Sequence, residues 1–167
     1  MFNFSPRKAW VLFALTFAGL FGWLLWQTPS GEIVETEEII YYQVDALTIS
    51  DLKAQIRTRG PQGYSGFVQW RVLPTLNGGL KLHTKITMPK HAAPDQLSSS
   101  VAFTWNRFVK ALWKHERVHQ YHGKRAAKEA LQSAYVHHLA IFRKWSKQDD
   151  RFDKLTAHGA TEGAWLP

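Results

Sequence analysis

Cysteine is absent from this 167-residue chain. Disulfides and thiolate metal sites are therefore excluded, and any bound metal must rest on histidine, aspartate or glutamate. Proline is missing from Asp95 through Trp165, and within that stretch Gly123 is the one glycine before Gly159. So few breakers leave room for long helices. Acidic side chains are also scarce there: between Trp105 and Lys147 ten Lys or Arg stand against Glu116 and Glu129 alone, and the net charge is +8. What is present excludes wholesale disorder. At 45% hydrophobic and 14% aromatic residues the chain can bury a core, and its length fits one small domain with an accessory segment.

That accessory segment is the uncharged run 9–26, AWVLFALTFAGLFGWLLW. Its length is near the lower limit for crossing a bilayer, and no small-x-small cleavage site follows it. Arg7 and Lys8 precede it, while Glu32, Glu35, Glu37 and Glu38 follow it; Trp23 and Trp26 suit an interfacial belt. The positive-inside rule then predicts a cytoplasmic N-terminus and a single-pass signal anchor over 1–27 in the cytoplasmic (inner) membrane. A linker is expected over 28–37 and an extracytoplasmic, periplasmic domain over 38–167. Export argues against a nucleic-acid partner for the basic helical stretch, which reads as a solvated face or one meeting anionic lipid or an acidic substrate.

Within the domain, 38–44 (EIIYYQV) is rich in β-branched and aromatic residues and predicts a first strand. Thr48 or Ser50 can cap a helix through about Arg57, which Gly60 and Pro61 stop. The segment 66–73 (GFVQWRVL) predicts a second strand, and Asn77-Gly78-Gly79 a turn. Leu80, Leu82, Thr84, Ile86 and Met88 then alternate with Lys81, His83, Lys85 and Thr87, a third strand that Pro89 ends. These strands suggest a small antiparallel sheet with one wet face. After Pro94, Asp95 and the serines 98–100, Trp105, Phe108, Leu112 and their neighbours repeat at three- and four-residue spacing, which is helical. The expected fold class is α+β, zincin-like: the sheet packed on one long helix or a helical hairpin.

That helix carries the chemistry. His115-Glu116-Arg117-Val118-His119 spells H-E-x-x-H. Two histidines four residues apart on a helix share a face, so their ring nitrogens can bind one tetrahedral metal, and Glu116 is placed to deprotonate water on it. A hydrolytic zinc site needs a third protein ligand. His122 and Glu129 lie too far along a regular helix from His115. His137 and His138 require the helix to turn back, and His83 and His91 sit on or after a strand.

His158 is the strongest candidate, because it lies in a loop where Gly159 and Gly163 permit close backbone approach. A straight helix from His119 to Lys147 would run about 40 Å, and eleven extended residues return at most about 37 Å. The helix must therefore break into a hairpin, near 135–138. Asp153 and Thr156 are expected to orient a ligand or cap the loop, and His122 to lie beside the site.

Over roughly 39–163 the chain resembles a bacterial family of unknown function described as predicted secreted zinc-dependent proteases. The likeness rests on the opening strand, Gly60-Pro61, Trp70, Trp105 and Phe108. It rests above all on the His115–His119 motif and the closing Asp153-x-x-Thr156-x-His158-Gly159-x-x-x-Gly163. It implies a zinc-binding, exported or membrane-associated protein with protease-like machinery. Phe152 stands where the family pattern leads one to expect tyrosine.

The expected function is a membrane-anchored zinc metallopeptidase of the cell envelope, one Zn2+ per chain on His115, His119 and His158, with Glu116 as general base. Tyr121, His122 or Arg117 would donate to the attacked carbonyl, and an exposed sheet edge would hold an extended peptide. Two other functions fit the same residues. One is a zinc-dependent amidase or hydrolase on cell-wall material; the other is a non-catalytic tethered domain whose metal only stabilises the fold.

Overall fold

The computed structural model describes residues 31–167. The run 9–26, with its expected membrane crossing, lies outside the described residues. Among the described residues no helix is long and apolar enough to span a bilayer.

The domain is α+β. Strand β1 (Ile33–Val44) is followed by helix α1 (Ile49–Arg59), strands β2 (Phe67–Pro74) and β3 (Leu80–His91), and helices α2 (Ser99–Gln132) and α3 (His138–Thr156). Local sequence sets the helix starts. The Thr48 hydroxyl accepts from Asp51 N to cap α1, and the Ser98 hydroxyl accepts from Val101 N to cap α2.

The sheet has the order β1-β3-β2 and is mixed, not antiparallel as expected: β1 runs parallel to β3, and β2 antiparallel to it. The tight turn after β2 produces a hairpin, whereas β1 reaches β3 through the α1 crossover, which suits a parallel pair. β1 also begins five residues earlier than expected, because Ile33 to Glu37 pair with Leu80 to Thr84 despite their acidic composition. Pro89 does not end β3, which continues to His91. β2 reaches only as far as Thr87, so Pro89 falls where β3 has a single neighbour and its missing N–H is tolerated.

Helices α2 and α3 form the hairpin that the reach of the closing loop demands. The break spans 133–137 without glycine or proline; Ala134 (φ 48°) and Tyr135 (φ 64°) adopt left-handed backbone, and Tyr135 N bonds Ala130 O at 2.8 Å.

Two apolar clusters hold helices to sheet. One joins Val44, Leu52, Ile86 and Met88 to Trp105, Phe108 and Leu112; the other joins Val72, Leu80 and Leu82 to Ala127, Ala130 and Ile141. On the buried face of α2, His115, Glu116, His119 and Gln120 lie between them.

Candidate metal centre

The four-residue spacing on α2 brings the His115 and His119 rings together, with their Nε2 atoms 3.3 Å apart. The hairpin returns α3 along the same face, and Asp153 Oδ1 lies 3.1 Å from His115 Nε2 and 3.0 Å from His119 Nε2. The far nitrogen of each ring meets another carboxylate: His115 Nδ1 is 3.0 Å from Glu162 Oε2, and His119 Nδ1 is 2.9 Å from Asp149 Oδ1.

If each Nδ1–H donates to its carboxylate, both Nε2 lone pairs converge on Asp153, and three electron-rich atoms face one another. Positive charge must lie among them. Protons can supply it. Burial opposes charging of His119, but Asp149 and Asp153 override it and raise its pKa to about 10. Burial likewise opposes charge on His115, and Asp153 with Glu162 raises its pKa nonetheless. For Asp153 burial favours the neutral acid, yet the two histidines hold its pKa well below the usual carboxylate range. A metal cation can supply the charge instead. In a tetrahedral site with metal–ligand bonds near 2.0–2.1 Å, ligand atoms stand roughly 3.3 Å apart. The observed separations of 3.0, 3.1 and 3.3 Å fit a single ion, and the set of two imidazoles and a carboxylate suits zinc.

Asp149 ties the site to its surroundings. Its Oδ1 accepts from the His119 and His122 rings, the latter at 2.6 Å, and its Oδ2 accepts from Trp70 Nε1 at 3.0 Å. His119, His122 and Asp149 thus form a second metal-compatible group that shares His119 with the first. Phe152 stacks on His115 at 4.8 Å and meets His119 edge-on at 5.4 Å, an apolar wall without the hydroxyl that tyrosine would bring. Gly159 (φ 80°) lies so close to His115 that a Cβ there would come within 2.9 Å of the ring.

Glu116 points away from these carboxylates, toward the segment that leads into β2. A Cβ on Gly66 would lie 2.5 Å from Glu116 Oε1, so the carboxylate occupies space that only glycine leaves. The Tyr42 hydroxyl, donating to Ser65 O at 2.7 Å, fixes that segment. Burial raises the Glu116 pKa to about 7, against the lowering pull of His119 and His115. A cleft of about 530 Å³ opens over the centre, and His115, Glu116, His119, Asp153, Tyr64 and His158 line it.

The structure thus brings together His115, Glu116, His119 and Asp153, and it is Asp153, not His158, that lies against the two imidazoles. His158 lies at the cleft rim, half exposed, with Nδ1 3.5 Å from Asp153 Oδ2 and its ring 5.1 Å from Tyr64. Ala157 and His158 both take left-handed backbone (φ 48° and 52°), which turns the chain away from the last turn of α3. Thr156 caps that loop, donating to Phe152 O at 2.9 Å and accepting from Gly159 N at 3.1 Å.

Of the other residues singled out from sequence, His122 reaches the centre only through Asp149. Tyr121 is exposed, with Arg125 as its partner, and Arg117 pairs with Glu37 on β1. None of the three lines the cleft. His83 bonds Thr36 on the sheet, His91 meets Ala46 O, and His137 ends the hairpin break where His138 begins α3.

Asp149 and Glu162 escaped the sequence reading. Asp149 had a signal: Asp149 and Asp153 repeat the four-residue spacing of His115 and His119, so a returning helix would present both to the histidines. Glu162 had none, since it occupies a variable position of the closing motif.

Comparison with curated proteins and comparison with solved structures each found no match. The family model of a bacterial protein of unknown function (DUF922) covers residues 39–159, from mid-β1 to the glycine against His115, and the chain belongs to that family.

Proposed function

We propose that this is a membrane-anchored, zinc-dependent metallopeptidase acting in the cell envelope, with His115, His119 and Asp153 holding the ion and Glu116 serving as general base. The observation that carries the proposal is the convergence of three ligand atoms beside a buried carboxylate that opens on the same cleft. A purely structural site has no use for that fourth, uncoordinated acid. A zinc ion bound there supplies Lewis acidity toward water and toward the scissile carbonyl.

The remaining work falls to side chains of this chain. Glu116 takes a proton from the attacking water and returns it to the leaving amine. Its pKa near 7 suits both transfers at neutral pH. Asp149 and Glu162 hold the two imidazoles by Nδ1, so that Nε2 of each faces inward. His158, at the rim beside Tyr64, can donate to the carbonyl side of a substrate.

Peptide is favoured as substrate by the free edge of β2. Thr75 N bonds Gly79 O at 2.9 Å, which makes that pair a hydrogen-bonded one in the hairpin. By alternation along the register, Leu73, Arg71 and Gln69 bond β3, while Val72, Trp70 and Val68 direct N–H and C=O outward. A groove of about 570 Å³ lies along that edge, between β2 and Phe142, Ser146, Asp149 and Asp150 of α3. It shares Val68, Asp149 and Asp150 with the cleft, so the two are continuous. An extended peptide bonding Val68 and Trp70 would run into the cleft beside Glu116.

The test is Glu116→Gln in the full chain. Hydrolysis of an unfolded protein should fall at least about 100-fold with zinc content unchanged. Simultaneous loss of metal would make Glu116 structural. Release of fragments from purified cell wall, with unfolded protein untouched, would move the activity to a cell-wall amide.

A further inference from the structure

The most exposed apolar residue in the domain is Leu76, which gains no burial at all in the turn 75–79 (111%). A turn position of this kind ordinarily carries a polar residue. Two more large apolar side chains stand out nearby, Val136 (72%) in the α2–α3 hairpin tip and Leu139 (62%) just after it. The two tips are neighbours: Thr75, Gly78, Ala134 and Tyr135 line one shared cavity. Two connections far apart in sequence therefore present unpartnered apolar side chains at the same end of the domain.

The chain enters at this end. Leu80, the first residue after the turn, donates from its N–H to Glu32 O at 3.0 Å, and Ile33 pairs with Leu80. Residues 27–31, the only ones between Trp26 and Glu32, span at most roughly 20 Å. Those five residues can carry the end of the run 9–26 no more than roughly 20 Å from Glu32, at this end of the sheet. The opposite end of the sheet, at His91, is roughly 36 Å away by strand rise.

We infer that the end of the domain formed by the turn 75–79 and the hairpin tip 133–137 rests on the lipid bilayer, with Leu76 and Val136 inserted among the headgroups. This rests on the membrane-anchor reading above. The occupant is lipid, not another protein, because the anchor ends within reach of this face and holds it against the membrane surface. Lys81, exposed and opposite Leu73 in register, gives the same end a cation for anionic headgroups. In this orientation the groove along β2 leads from the bilayer face toward the cleft.

The absence of cysteine makes the test direct. The full chain is reconstituted in phosphatidylethanolamine–phosphatidylglycerol (3:1) vesicles as Leu76→Cys, Val136→Cys or Gln96→Cys, each labelled with an environment-sensitive fluorophore. Gln96, exposed at the far end of the sheet, is the control. A nitroxide quencher on the lipid near the headgroup should quench at positions 76 and 136 at least about twofold more than at 96. Equal quenching at all three sites, with the chain floating with the vesicles, would overturn the docked face and leave the anchor standing. A chain that does not float with the vesicles would overturn both.

Discussion

Along its buried face α2 changes character without changing burial. Trp105, Phe108 and Leu112 pack into one apolar cluster and Ala126, Ala127 and Ala130 are fully buried further along, while His115, Glu116, His119 and Gln120, equally withdrawn from water, lie between. The apolar turns stabilise the fold by area removed from water. The polar turn has to find a partner for every nitrogen and oxygen it buries. For His115, His119 and Gln120 it does so with residues from elsewhere: Asp149 and Asp153 from α3, Glu162 from the closing loop and Glu37 from β1. A continuous apolar helix would have served stability better. The interruption falls where the proposed metal centre lies.

This contrast can be broken at several points. Phe108→Ala, in the apolar region, should cost about 3–5 kcal/mol in urea unfolding and leave zinc affinity unchanged. Removing zinc with a chelator should lower stability by about 3 kcal/mol relative to protein held at free zinc a hundredfold above Kd. The same treatment should not change the unfolding curve of Asp153→Ala. Equal sensitivity of both proteins would mean that the metal binds elsewhere. Asp149→Asn keeps the side-chain shape but weakens the acceptor for His119 Nδ1, and zinc affinity by competition titration should fall about 10- to 100-fold. The smallest effect belongs to His158→Ala: the side chain is half exposed and outside the cluster, so zinc content should hold while turnover drops.

The comparison also shows what a sequence can convey. The helix starts at Thr48 or Ser50 and at the serines 98–100, the Asn77-Gly78-Gly79 turn and the face of β3 were legible because each rests on local chemistry. The break between α2 and α3 was legible for a different reason. No residue at 133–137 announces it, and only the distance from His119 back to the closing loop required it. The parallel pairing of β1 and the passage of β3 through Pro89 were not legible, since both depend on which strand lies alongside. The motif singled out His115, Glu116 and His119, and His158 was expected to join them on residue type and loop context. The structure sets Asp153 against the two histidines because the last turn of α3 faces α2, and the left-handed residues 157–158 carry the His158 imidazole to the rim.

The most direct test of the centre is the metal content of the full-length protein beside Asp153→Ala and His158→Ala, by elemental analysis without added metal. One zinc per chain in the wild type and in His158→Ala, and none in Asp153→Ala, is the expected result. Wild-type protein without metal, or Asp153→Ala that keeps its zinc, would contradict a centre built from His115, His119 and Asp153.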